Sequence, residues 1–209
     1  MKTSSSDLAR YDERSRLNHW AAVLLFFSAA ASGLAFFHPS LFFLSNLFGG
    51  GAWTRILHPY LGLLVFLSFL GMFAKLWRDN ILTPADHEWL SKAGAMFNGD
   101  KHAMPEADRY NGGQKVVFWT LGGGLLVLVC TGLVFWHAWF PNLPILARRV
   151  AVLLHAASAV VILLAVVVHA YAAFWVKGTI RAMTRGTVTQ GWARANHPLW
   201  YRRVRSGGQ

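Results

Sequence analysis

Two histidines, His155 and His169, stand fourteen residues apart within one long apolar run. At about 100° of turn per residue, a helix brings those two imidazoles back to within roughly 40° of one face, about 21 Å apart along its axis. An ionisable side chain at membrane depth is costly and marks a functional site by default. Ring nitrogens at two levels of one helix suit metal ligation, and iron in two stacked haems fits the spacing. Each level then needs a second nitrogen from another helix, so the positioning elements decide which histidines qualify.

Those elements follow from hydropathy. The chain has 209 residues, is 55% apolar and has a mean hydropathy of +0.36. Its apolar residues fall in runs of about 20, enough to cross a hydrocarbon core of about 30 Å. Four spans are predicted, at roughly 18–37, 54–77, 115–137 and 149–176. The first is expected to be retained, because Ser28 to Gly33 lie inside the apolar stretch and aromatics continue to Phe37, unlike a cleaved secretory signal. The expected fold is all-α: an integral membrane four-helix bundle forming one domain over 1–209, with no internal repeat.

The net charge of +11 would suggest nucleic acid in a soluble protein. Its distribution points elsewhere. Seventeen of the twenty Lys and Arg lie before span one, between spans two and three, or after span four, against Arg55, Arg148 and Arg149 on the other side. The positive-inside rule therefore puts both termini and the middle loop in the cytoplasm, and gives no role to nucleic acid. The basic tail also suits anionic lipid headgroups. Cys130 is the only cysteine, which excludes a disulfide framework, a Cys-ligated cluster within this chain and covalent haem attachment through Cys-x-x-Cys-His.

Within the cytoplasmic loop, Thr83-Pro84-Ala85-Asp86 reads as a helix start, with Thr83 as N-cap and Pro84 at the first helical position. Trp89, Leu90, Ala93 and Phe97 follow near a 3.6-residue period, predicting a short helix in the cytoplasmic interface or a solvated loop helix packed on protein. Trp192, Trp200 and Tyr201, among the arginines of the tail, suit an interfacial segment or a partner surface.

Topology gives each histidine a side and a depth. On the inner side His19 opens span one and pairs with His169 by elimination. Arg16 lies close by, for a haem propionate or simply as a snorkelling cation. On the outer side His38, His58 and His137 compete for His155; His58 lies a few residues inside span two and is the choice, with the other two left open. Zinc or a proton relay is the alternative chemistry. Every Asp and Glu falls outside the spans, which weighs against a relay. Gly33 in span one, Gly62 and Gly71 in span two, Gly122-Gly123-Gly124 and Gly132 in span three, and the alanines flanking His155 and His169, permit close approach of helices or of a flat macrocycle.

Several segments resemble the gamma, or cytochrome b556, subunit of respiratory formate dehydrogenases: Leu17-Asn18-His19-Trp20, Arg55-Ile56-Leu57-His58-Pro59, Arg109-Tyr110-Asn111-Gly112-Gly113-Gln114-Lys115, Leu154-His155-Ala156-Ala157, the run His169 to Gly178, and His197 to Tyr201. The resemblance implies two b-type haems, with His58 and His155 on the outer one and His19 and His169 on the inner one. It also implies a quinone, menaquinone or ubiquinone, reduced beside the inner haem with Asn111 and Gln114 as hydrogen-bonding partners. The implied partners are an iron–sulfur (beta) subunit and a molybdenum or tungsten catalytic (alpha) subunit, and the implied location is the bacterial inner membrane. The cytochrome b of a membrane-bound nickel–iron hydrogenase or thiosulfate-type reductase is a related alternative. A non-redox membrane anchor or a metal or proton transporter is the alternative of another class.

Overall fold

The computed structural model describes residues 7–94, 104–136, 140 and 142–207; Lys2, Phe97, Lys101, His137 and Pro141 lie outside the described residues. In chain order come β1 (Asp7–Ala9), α1 (Glu13–Phe37), a 3-10 stretch (Pro39–Phe48), α2 (Gly51–Leu76), a 3-10 turn (Trp77–Asn80), α3 (Pro84–Ser91), α4 (Gly112–Phe135), α5 (Ile145–Trp175), α6 (Ile180–Arg185), β2 (Thr187–Thr189), α7 (Gln190–Asn196) and α8 (Pro198–Arg205).

Helices α1, α2, α4 and α5 are the four expected spans, with 25, 26, 24 and 31 residues. At about 1.5 Å per residue each exceeds a hydrocarbon core of about 30 Å. Only 11–17% of their most apolar stretches is buried, and Leu24, Leu63, Leu126 and Leu153 all face outward. Water would not tolerate such a continuous apolar exterior, whereas lipid is its natural solvent. The turn into α2 uses Gly49 and Gly50, both at positive φ, and Thr54 closes it by donating its hydroxyl to the carbonyls of Gly50 and Ser45 at 2.9 and 3.2 Å.

The chain divides into two compact units. One comprises residues 17–74 and 120–168. Its core is Val65, Leu125 and Ile162, from α2, α4 and α5, with Leu25, Phe26 and Ala29 of α1 against them. Gly124 is small by necessity, since a Cβ there would stand 2.8 Å from Ile162 Cγ1. Between α1 and α2, the Asn18 amide donates to the Ser68 carbonyl and the Ser68 hydroxyl returns a bond to Asn18 Oδ1, both at 2.8 Å. Interhelical polar pairs of this kind hold membrane helices where the hydrophobic effect cannot.

The other unit comprises residues 1–16, 75–119 and 169–209. Here β1 and β2 pair antiparallel, Leu8 opposite Val188, over a core of Ala182, Val188, Ala193 and Trp200. The tail aromatics join this core: Trp200 is buried, with Trp192 and Tyr201 packed against it. Arg10 is buried with them, its guanidinium 4.3 Å from the Trp200 ring centre and donating to the Arg109 carbonyl. The start of α3 is as expected. Asp86 accepts from the Thr83 amide at 2.8 Å and from its hydroxyl at 2.7 Å, reinforcing the cap.

Candidate functional site

The outer histidines are set by two prominent sequence features. His58 lies in α2 immediately before Pro59, and His155 lies on α5. Their ring centres are 6.2 Å apart with planes at 69°. Two imidazoles brought together from different helices in this way would hold a haem iron from two sides, and the haem would supply one-electron chemistry there.

Each ring is held from behind. His58 Nδ1 lies 2.8 Å from Ser32 Oγ on α1, and His155 Nδ1 lies 3.0 Å from Thr131 Oγ1 on α4. The next residue in each case is glycine, and a Cβ at Gly33 or Gly132 would sit 3.0 or 3.4 Å from the Cε1 of the adjacent ring. Four helices therefore converge on two imidazoles. Among the described residues no group of three or more His, Cys, Asp and Glu side chains gathers as for a tetrahedral zinc. A pair of ring nitrogens fits a haem, whose macrocycle would supply the other ligands to iron.

Of the competitors, His38 is exposed and caps the 3-10 stretch, its Nδ1 accepting from the Ser40 amide at 3.2 Å, while His137 lies outside the described residues. On the inner side His19 is half-buried on α1, edge-on to Trp20 at 5.4 Å, and His169 is exposed on α5. α5 runs unbroken from Ile145 to Trp175, so His155 and His169 do share one helix. Arg16 donates to the Thr184 carbonyl at 2.8 Å, near the end of α6.

Asn111 and Gln114 cap α4 reciprocally. Asn111 Oδ1 accepts from the Gln114 amide at 2.9 Å, and Gln114 Oε1 accepts from the Asn111 amide at 3.0 Å. This use of the carbonyl oxygens directs both side-chain NH2 groups away from the cap as donors. Gly112 and Gly113 are small because Cβ atoms there would meet the Asp86 carbonyl and the Trp89 ring, each at 2.8 Å. Lys115, one turn on, is buried against Asp86 at 2.6 Å and donates to the Ile81 carbonyl at 3.0 Å. Burial alone would raise the Asp86 carboxyl, but bonds from Lys115 and Thr83 outweigh it and hold it below its ordinary value.

Sequence reasoning missed Ser32 and Thr131. Their signal is a hydroxyl residue followed by glycine within an apolar span, at the depth of a histidine on a neighbouring helix.

A four-span membrane bundle with a facing histidine pair backed by hydroxyls defines a membrane cytochrome of the b class. The chain belongs to the prokaryotic cytochrome b561 family, whose model matches residues 10–186. It is similar to the nitrate-inducible formate dehydrogenase cytochrome b556(Fdn) subunit of Escherichia coli, 37% identical over 190 residues that span 90% of this chain and 88% of the relative. The Escherichia coli formate dehydrogenase cytochrome b556(fdo) subunit is 40% identical over 95% of this chain and 93% of its own length. A Haemophilus influenzae formate dehydrogenase cytochrome b556 subunit is 36% identical over 96% and 84%.

Proposed function

We propose that this chain is the cytochrome b subunit of a formate dehydrogenase complex, a single membrane cytochrome b domain that accepts electrons from an iron–sulfur subunit and passes them inward to quinone. The observation that carries the reading is the His58–His155 pair, at 6.2 Å. The long similarity to formate dehydrogenase cytochrome subunits supports the choice of complex. Haem b, when bound, supplies one-electron exchange at iron. His58 and His155 would hold the outer group, His19 and His169 the inner one, and Arg16, which donates to the Thr184 carbonyl, would offer its other N–H groups to a propionate. Asn111 and Gln114 offer their NH2 groups to a quinone oxygen on the cytoplasmic side. The catalytic subunit holds molybdenum or tungsten, and the chain lies in a bacterial inner membrane with both termini cytoplasmic, as its charge distribution supports.

A reduced-minus-oxidised visible spectrum of the purified protein tests the class: a b-type α-band is expected, and a featureless spectrum removes electron transfer. His155→Ala removes mainly the outer haem, and His169→Ala mainly the inner haem together with quinone reduction. Both haems intact in either variant would refute the assignment. In the whole complex formate reduces the haems; reduction by hydrogen and not formate would move the chain to the hydrogenase branch.

A further inference from the structure

Ser32 and Thr131 are each placed to do more than fill space. The Ser32 hydroxyl lies 2.9 Å from the Ala29 carbonyl, and the Thr131 hydroxyl 2.6 Å from the Val127 carbonyl. A carbonyl only accepts, so each hydroxyl spends its one proton there. Toward the imidazole it is then an acceptor, and His58 Nδ1 and His155 Nδ1 must be the donors, at 2.8 and 3.0 Å. Both rings are thereby fixed as the Nδ1–H tautomer, with the Nε2 lone pair as the ligating position. One arrangement, carbonyl to hydroxyl to imidazole, recurs on α1 and α4.

We infer that Ser32 and Thr131 are positioning residues for the outer histidine pair, orienting both rings and strengthening their donation to iron so that the outer haem keeps a lower midpoint potential. The inference rests on the reading of His58 and His155 as haem ligands. Its physical basis is that an acceptor behind a ligating imidazole fixes its tautomer and raises its basicity, which favours the ferric state. Ser32 is fully buried and Thr131 nearly so, so water cannot easily replace either hydroxyl.

The test is an equilibrium redox titration of the intact complex, followed at the α-band, in Ser32→Ala and Thr131→Val. One haem is expected to titrate at higher potential, its ferric-to-ferrous ratio falling about tenfold at fixed potential, or about 59 mV for one electron, while the other haem is unmoved. Ser32→Thr and Thr131→Ser, which keep the hydroxyl, retain the parent value. Loss of one haem from Ser32→Ala but not from Ser32→Thr also supports the role. Unchanged midpoints with both haems present, equal shifts of both haems, or haem loss in the hydroxyl-keeping variants would overturn it. A His58→Ala protein that keeps both haems would instead sink the ligand assignment beneath it.

Discussion

A methyl group added at Gly33 would stand 3.0 Å from His58 Cε1, whereas one at Gly123 meets nothing within 4 Å. Gly33→Ala must therefore push the imidazole off its axis, at a cost of about 1–3 kcal/mol, while Gly123→Ala is silent. The expected outcome is a reduced haem content in the first variant only, read from the α-band per mole of protein. A second residue-scale prediction concerns His197, which is 2% exposed, donates Nδ1–H to the Asp108 carbonyl at 2.7 Å and packs on Trp192. Burial first, then the positive charge of Arg10, lowers its pKa to about 4 against the Asp108 carbonyl's opposing pull. The unfolded chain binds a proton near the usual pKa of about 6.5 and the folded one does not, so stability is complete above that pH and falls as pH drops toward 4. The loss amounts to about 3 kcal/mol at most, and thermal melts in detergent should show it, with His197→Gln flattening the slope. The facing of His58 and His155 was legible from run position and depth. Their hydroxyl partners were not, because which small polar residue meets a ring depends on helix rotation that hydropathy does not encode.

At the scale of elements, α4 is anchored to the loop helix α3 through the Lys115–Asp86 pair, whose side chains are 6% and 7% exposed. Lys115→Ala leaves a buried carboxylate without its cation and is expected to cost about 3–5 kcal/mol, whereas combining it with Asp86→Asn recovers part of the loss. Thermal unfolding of the single and double variants checks this. Gly124→Ala, forced against Ile162 Cγ1, is expected to destabilise by about 1–3 kcal/mol, again with Gly123→Ala as the contrast. The four spans could be read from run length alone, and α3 from Thr83-Pro84 and its capping carboxylate. The β1–β2 pair and α6 to α8 could not. Their segments are too short and too mixed in composition for a period to emerge, and Trp200 reads from sequence as part of an interfacial segment or a partner surface, while the core that it joins with Arg10 and the strand pair is visible only in the fold.

For the molecule as a whole, four helices long and apolar enough to cross lipid, with seventeen of twenty Lys and Arg before the first, between the second and third or after the fourth, predict that both termini lie on one side, the cytoplasmic one. A C-terminal green fluorescent fusion should glow and a C-terminal alkaline phosphatase fusion should be inactive; the reverse pattern would invert the topology. The strand pairing carries a consequence for biogenesis. Leu8 cannot meet Val188, nor Asp7 its ion-pair partner Arg181, 174 positions later, until the four spans and the segment after them have emerged. At ribosomal speeds of about 5–20 residues per second, the amino-terminal segment waits roughly 10–35 s unpaired at the membrane surface. Helices can enter the bilayer in turn during that interval, but the seam between Leu8 and Val188 closes only after all four spans have been made.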